Sequence, residues 1–503
     1  MATVSDLLLM RADGGVRMGS GHVMRCLAMA QGWQRAGGRA VFAQAESTPP
    51  LENRLSANGM EVLRLDVVPG SIQDAARTAG LALDLGAAWV VADGYGFGAD
   101  WQKAIKDSCL RLLLWDDYGH AEHYWADLIL NQNLHASPQS YSRREPYTRL
   151  LLGTRYAQLR REFLAWRNLR RVLPAVARKV LVTLGGSDPD NATAKVMHAL
   201  SRLREVEALV VVGGSNRNLD ALQSSAMSDG TSAVRLVVDA PNMSELMAWA
   251  DVAVSAGGST VWELAFMGLP SLVIVLTKDQ ADSAAALDHE GVSVNLGEHR
   301  HLSMERLATA LESLVTDLPL REQMSRRGRQ LVDGLGPSRA ITRLHAFRLT
   351  LRRATTEDCR LIWEWANDRE ARAVSFSPDP IPWESHMRWY SAKVTDRNCL
   401  FYVATNENGN PFGQIRFEMT GLEAVVSLSL APHARGKGLG PALIVQGAEQ
   451  FMAQSKAEVV HAYIKTDNPA SVRSFENAGF KDAGTTDIIG HRARHFELHR
   501  ETT

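Results

Sequence analysis

LLLMRADGGVRMGSGHVMRCLAMAQGWQRAGGRAVFAQ (residues 7–44) holds one complete folding unit. The apolar run 7–10 reads as a buried strand. A glycine-rich turn follows, and over 23–38 the apolar residues recur at helical spacing until Gly37-Gly38 stop the helix. AVFAQ (40–44) is a second apolar run. Strand, turn, helix and strand in this order predict parallel strands with helices covering the sheet on both faces.

The alternation continues through WVVAD (89–93) and LLLW (112–115). Residues 155–178, YAQLRREFLAWRNLRRVLPAVARK, are charged and read as a helical connector with Pro174 near its end. A second series follows: VLVTLGG (180–186), EALVVVGG (207–214), VRLVVD (234–239), DVAVSAGG (251–258) and SLVIVL (271–276). Two such series predict an α/β pair of Rossmann-type lobes, at 1–155 and 156–347, with ligand chemistry in the cleft at the carboxyl ends of the strands. Past Leu349 the texture changes. Trp363, Trp365, Trp383 and Trp389 crowd together, and 400–406, 411–419 and 425–431 read as a strand meander before a glycine-rich turn and a helix. Residues 348–503 are therefore expected to form a separate α+β domain.

The totals exclude several classes of partner. The 503 residues carry a net charge of -1 with 22% charged residues, so neither nucleic acid nor a membrane surface is expected. Cys26, Cys109, Cys359 and Cys399 are far apart and form no CxxC pair, which fits a reducing cytosol and gives no zinc or disulfide framework. No apolar run approaches the roughly 18 residues of a membrane span. The expectation is a soluble cytoplasmic protein that uses no metal, with its oligomeric state left open.

Three motifs carry chemistry. In RADGGVRMGSGHVMRCL (11–27), Gly19 and Gly21 flank Ser20, and His22 opens a helix. The unpaired N–H groups of a helix start disfavour a cation, so a neutral His22 able to accept a proton is expected. By spacing alone it is equally a plain turn with a surface histidine. In VTLGGSDPDN (182–191) and SAGGSTVWELAFMGLPSLVI (255–274), strands end in glycine pairs beside helix starts. Gly257 and Gly258 let backbone approach a ligand, Ser259 and Thr260 offer hydroxyls, and Glu263 is placed to accept from a ribose diol. Such turns are also ordinary in doubly wound folds.

The order RAD–GSGH, VADGYG (91–96), LLLWDD (112–117), LILNQN (128–133), GGSD (185–188) and SAGGSTVWE (255–263) resembles the UDP-2,4-diacetamido-2,4,6-trideoxy-β-L-altropyranose hydrolases of pseudaminic acid synthesis. The likeness spans about residues 5–345 and implies a GT-B-like fold that releases UDP with water as acceptor. It implies His22 as the base on water, with Gly19 and Gly21 as its loop and Arg11 and Asp13 beside it. Asp93, Tyr95, Asn131 and Asn133 would line the sugar side. Gly186, Ser187, Gly258, Ser259, Thr260 and Glu263 would hold UDP. Asp116 and Asp117, adjacent on a strand, read as hydrogen-bonding residues whose side chains diverge.

The third motif lies in LSLAPHARGKGLGPALIVQGAEQFM (428–452). Arg435-Gly436-Lys437-Gly438-Leu439-Gly440 places inward N–H groups and two cations at a helix start, a cradle for pyrophosphate. With TDNPASVRSFENAGF (466–480), LIWEWANDREAR (361–372) and PWESHMRWY (382–390), it resembles GNAT N-acetyltransferases that act on nucleotide-linked amino sugars. The resemblance implies acetyl-CoA as co-substrate, bound by Arg435, Gly436, Lys437, Gly438, Gly440 and Asn468. Phe475 stands where many relatives have a tyrosine that protonates the leaving thiolate. Glu384 and His386 either face the acceptor or lie on the surface, and no base is named. Together the two likenesses imply N-acetylation of a UDP-4-amino-4,6-dideoxy-AltNAc sugar followed by hydrolysis to free sugar and UDP. The alternatives are a GT-B glycosyltransferase with an accessory acetyltransferase, and a legionaminic- or bacillosamine-type sugar.

Overall fold

The computed structural model describes residues 6–500 apart from 16–17, 187, 204, 215 and 229–232. It divides into two compact units, Met1–Pro337 and Ser338–Thr503.

Among the described residues the first unit has two sheets. One contains β1 (Leu7–Ala12), β2 (Arg39–Gln44), β3 (Glu61–Arg64), β4 (Trp89–Asp93), β5 (Leu112–Trp115), β6 (Leu128–Asn131) and β7 (Arg149–Leu152), in the order β3-β2-β1-β4-β5-β6-β7. The other contains β8 (Lys179–Thr183), β9 (Glu207–Val212), β10 (Ala233–Val238), β11 (Val252–Ala256), β12 (Ser271–Val275) and β13 (Ser293–Glu298), in the order β10-β9-β8-β11-β12-β13. Neighbouring strands are parallel throughout both sheets. The inner strands β1, β4, β5 and β11 are buried along their whole length, which is why they read as unbroken apolar runs. In each sheet the chain first runs one way from the central strand and then reverses, so a switch point lies between β1 and β4 and another between β8 and β11. This is the GT-B-like pair of Rossmann-type lobes.

The connector departs from expectation. Helix is confined to Arg161–Leu164, and no helix is assigned from there to residue 178. Its arginines bind the second lobe instead of lining a helix face. The Arg171 guanidinium donates to the carbonyls of Met247, Ala250 and Met267 at 2.6, 2.5 and 3.2 Å. These bonds cap frayed backbone that a helical connector would have left unsatisfied.

The second unit is a mixed sheet of β14 (Thr350–Arg353), β15 (Cys399–Thr405), β16 (Pro411–Thr420), β17 (Glu423–Leu430), β18 (Val459–Lys465), β19 (Lys481–Ile488) and β20 (His491–His499). The order is β14-β15-β16-β17-β18-β20-β19. Only β17 and β18 pair in parallel, and only over Glu423–Val425 against Val459–His461. Beyond that point the two strands part, leaving one edge of β17 open. Val460, Ala462, Ile464 and Phe496 point to one face and share a core with Val472 and Phe475 of the helix Pro469–Ala478.

Candidate active site

The glycine-rich turns of the first unit follow β1, β4, β8 and β11, the four strands that flank the two switch points. They converge on a cavity of about 510 Å³ lined from both lobes, by Gly19, Gly21, His22, Tyr95 and Asn133 on one side and Gly186, Gly258, Ser259, Thr260 and Glu263 on the other. The lobes nearly touch here. A Cβ on Gly186 would stand 3.1 Å from Ser20 Oγ of the first lobe, and within the second lobe one on Gly213 would stand only 2.2 Å from the Gly186 carbonyl oxygen. Ser187 lies outside the described residues.

A charged network sits under the histidine. His22 is the second residue of the helix Gly21–Arg35, and its Nδ1 lies 2.6 Å from Asp93 Oδ1 at the end of β4. Arg25, one turn on, donates to Asp93 through Nε (2.6 Å) and Nη2 (2.7 Å), and to Asp117 through Nη1 (2.9 Å) and Nη2 (3.0 Å). Asp93 is 1% exposed. Burial alone would raise its pKa, yet Arg25 and then His22 outweigh it and hold the carboxyl well below the usual range. An ionised carboxylate can only accept, so His22 Nδ1 carries a hydrogen toward Asp93, and in the neutral ring Nε2 is the acceptor. The Tyr95 ring meets His22 edge-on at 5.0 Å, and its hydroxyl donates to Asp117 at 3.2 Å. Burial and then Asp117 raise the pKa of that phenol. Asn133 Nδ2 donates to Asp117 Oδ1 at 2.9 Å and its Oδ1 accepts from Ser283 at 3.3 Å, a bond between the lobes.

Four residues expected beside the sugar do not line the cavity. Arg11 is fully buried and pairs with Asp74 (2.9 Å) and Asp13 (2.8 Å), while Asp13 also accepts from the N–H groups of Ala45 and Glu46 at 2.7 and 3.0 Å. They brace the turn after β1 from below. Asn131 donates to the Asp117 carbonyl and to Tyr141. Asp93 lies beneath His22 and orients it. Asp116 and Asp117 diverge. Asp116 accepts the N–H groups of Tyr118 and Gly119 at 2.8 and 2.6 Å and the Tyr124 hydroxyl at 2.5 Å, and with His120 these lower its pKa to about 2 against the effect of burial.

On the opposite lobe, Ser259 precedes the helix Thr260–Met267, which Gly268 ends in a left-handed turn at φ 60°. Ser259 and Thr260 bring two hydroxyls to that helix start at the cavity wall, while the N–H groups of Val261 and Trp262 are held by the Gly258 and Ser259 carbonyls at 3.1 and 3.2 Å; the positive end of the helix suits anionic oxygens. Glu263 does not stand alone: Arg160 Nε and Nη2 donate to its Oε1 at 3.1 and 3.0 Å. Burial still raises its pKa against the pull of Arg160. Arg25 and Arg160 escaped the sequence reading. The signal for Arg25 was its position one helical turn after His22; Arg160 has none, because its partner is 103 residues away.

In the second unit, Gly436 and Gly438 adopt φ of 74° and 72°, the left-handed region, immediately before the helix Leu439–Gln454. Lys437 is exposed and Gly440 is buried in the first turn. Arg435 is already engaged: its Nη1 donates to Asp368 and, at 3.1 Å, to Glu370. Asn468 caps the helix Pro469–Ala478, accepting the Ser471 N–H at 3.1 Å. Phe475 packs against Phe480 and Phe496. His386 is buried against the Cys359 carbonyl at 3.2 Å, so of the two residues held open for the acceptor only Glu384 is exposed.

Comparisons with known proteins divide the chain at similar places. Residues 180–334 match the glycosyltransferase family 28 C-terminal domain, and residues 348–481 match the acetyltransferase (GNAT) domain, whose fold the second unit has. The chain is similar to the uncharacterized protein MJ1062 of Methanocaldococcus jannaschii, 22% identical over 485 residues that cover 93% of this chain and 95% of that protein. It is also similar to the spore coat polysaccharide biosynthesis protein SpsG of Bacillus subtilis, 25% identical over 331 residues, 65% of this chain and 94% of that protein. Among solved structures, a spermidine N-acetyltransferase from Vibrio cholerae in complex with CoA and spermine aligns at 19% identity with a TM-score of 0.28, covering 30% of this chain and 96% of that one.

Proposed function

We propose that the chain is a bifunctional enzyme of nucleotide-sugar metabolism. Its second unit N-acetylates a UDP-4-amino-4,6-dideoxy sugar with acetyl-CoA, and its first unit hydrolyses the resulting UDP-2,4-diacetamido-2,4,6-trideoxy-β-L-altropyranose to free sugar and UDP, as in pseudaminic acid synthesis. The observation that carries the hydrolytic half is the His22–Asp93 contact at 2.6 Å, set across one cavity from the Ser259–Thr260 helix start. Breaking the anomeric C–O bond builds positive charge on the sugar and negative charge on UDP. Preorganised N–H groups and hydroxyls at that helix start stabilise the departing diphosphate. His22 Nε2 takes a proton from water on the opposite side, so the anomeric carbon inverts. Such base catalysis contributes about 10²–10⁴-fold.

In the acetyltransferase half, the turn Arg435–Gly440 receives the pyrophosphate of acetyl-CoA on its N–H groups, with the exposed Lys437 supplying positive charge. The open edge of β17 offers backbone donors and acceptors to the amide-bearing arm of the cofactor. The amine attacks the thioester carbon, and because Phe475 has no hydroxyl the thiolate takes its proton from water or another group. The similarity to the Bacillus subtilis spore coat polysaccharide biosynthesis protein SpsG supports an activated-sugar substrate.

Purified protein incubated with the UDP-amino sugar and acetyl-CoA should yield, by mass spectrometry, an N-acetylated UDP-sugar and then free diacetamido sugar. Without acetyl-CoA, release of UDP should be slow. A second reading rests on the family 28 match of residues 180–334: the first unit passes the sugar to an alcohol. Stoichiometric free sugar in the absence of any acceptor supports hydrolysis, whereas intact UDP-sugar until an acceptor is added supports transfer.

A further inference from the structure

The face of the second unit's sheet opposite its core carries a cluster that neither half-reaction uses. Antiparallel pairing of β18 with β20 sets His461 opposite Glu497 and Tyr463 opposite His495. Strand alternation then puts His461, His495, Glu497 and His499 on one face, while Val460, Ala462 and Phe496 go to the other. His461 Nδ1 lies 2.9 Å from His495 Nε2, and Glu497 Oε1 lies 3.6 Å from each. A triangle with those sides has a centre about 2.0 Å from every corner, which matches zinc–imidazole and zinc–carboxylate bonds of about 2.0–2.2 Å.

The surroundings fit the same reading. A metal-bound imidazole donates its other N–H to a carboxylate or carbonyl, and a bound carboxylate is itself hydrogen-bonded. Here His461 Nε2 faces Glu423 Oε2 at 3.4 Å, and Glu497 Oε2 faces His499 Nε2 at 3.1 Å. The three atoms that would bind an ion lie within 3.6 Å of one another; His461 Nε2 is buried without a hydrogen-bond partner and 3.4 Å from the Glu423 carboxylate, and His499 orients the second oxygen of Glu497. We propose that His461, His495 and Glu497 form a binding site for one divalent transition-metal ion. Two imidazoles and one carboxylate leave coordination positions open on the solvent side and select zinc-like ions over calcium or magnesium, which prefer all-oxygen shells. No spacing pattern marks it, because the ligands are up to 36 residues apart and meet only through strand pairing.

The test needs no sugar substrate, so it stands apart from the reading of function above. The full-length chain is stripped with EDTA, desalted, and titrated with Zn²⁺ against a chromophoric chelator and with Co²⁺ by visible absorption. One equivalent should bind per chain, and bound Co²⁺ should give the intense bands of a low-coordinate N/O site. His461→Ala and His495→Ala should each abolish that equivalent. Glu423→Gln, at a side chain 69% exposed and harmless to the fold, should weaken binding by about 10–100-fold. His289→Ala, 87% exposed in the first unit, should change nothing. Circular dichroism checks each variant, and if an alanine variant unfolds, Glu423→Gln decides. No stoichiometric uptake, uptake that survives both alanine variants, or unchanged affinity in Glu423→Gln would overturn the proposal.

Discussion

Replacing Asp93 by asparagine separates the catalytic role of this side chain from its structural one. The amide keeps the shape but has one acceptor and one donor end where the carboxylate accepts from His22 and twice from Arg25. One end must turn its NH₂ toward an existing donor. Arg25 is not stranded, since both bonds to Asp117 remain. Losing one or two charge-assisted bonds at about 1.5–3 kcal/mol each, partly relieved by that second partner, sets the stability cost at about 2–4 kcal/mol. The effect on chemistry is larger. Asparagine can hold His22 in the opposite tautomer, with Nε2–H toward water and no base, so kcat should fall by about 10²–10⁴, or roughly 3–5 kcal/mol of barrier. UDP release from the diacetamido UDP-sugar measures the rate, and thermal unfolding measures the fold. His22→Ala should lose as much rate with little loss of stability, because His22 is at the cavity wall. The double variant should be no slower than His22→Ala alone, since the two residues act as one unit. A kcat for Asp93→Asn within about threefold of wild type, or losses that multiply in the double variant, would refute the reasoning.

Further outcomes can be stated. Gly213→Ala puts a methyl group 2.2 Å from the Gly186 carbonyl, so the first unit should lose about 1–3 kcal/mol and the KM for UDP-sugar should rise; an unchanged melting temperature contradicts this. Glu263→Gln removes a buried charge but keeps an acceptor for Arg160, so UDP affinity by calorimetry should fall about tenfold while kcat changes little. Arg352 and the Thr355 N–H hold the Asp358 carboxyl below its ordinary value against burial. A depressed carboxyl contributes stability that is present above the unfolded value near ~3.9 and lost as pH falls below it. Arg352→Met should therefore lower the second unit's stability at pH 7 by no more than about 1 kcal/mol for this half-exposed pair, read as a lower melting temperature, and the difference should shrink below about pH 4. A difference that grows in acid contradicts the linkage.

The alternation of buried strands and helices was legible because both faces of a parallel sheet demand apolar residues. Hence 7–10, 89–93 and 112–115 lie wholly on strands, and 251–258 and 271–276 contain β11 and β12. Four strands of the first unit escaped: β3, β7 and β13 are sheet edges with half-exposed residues, and β6 is a buried run of only four residues. The connector misled because arginine favours helices in isolation, and only the structure reveals that Arg171 serves the carbonyls of the neighbouring lobe. The glycine turns were legible as loops at strand ends. What they enclose was not: Arg11 and Asp13 share a motif with His22 yet point beneath it, and Arg25, Asp93 and Asp117 become one network through contacts across 68 and 92 residues. Pair formation of that range leaves no periodicity to read.

The central claim is that water, activated at His22, attacks the sugar rather than the phosphorus. Hydrolysis of the UDP-sugar in H₂¹⁸O followed by mass spectrometry of the nucleotide tests it, because phosphate oxygens, unlike the anomeric hydroxyl, do not exchange with solvent. Cleavage of the anomeric C–O bond leaves UDP unlabelled, and His22→Ala releases almost none. Labelled UDP, or UMP with a sugar phosphate, would mean attack at phosphorus and contradict the account.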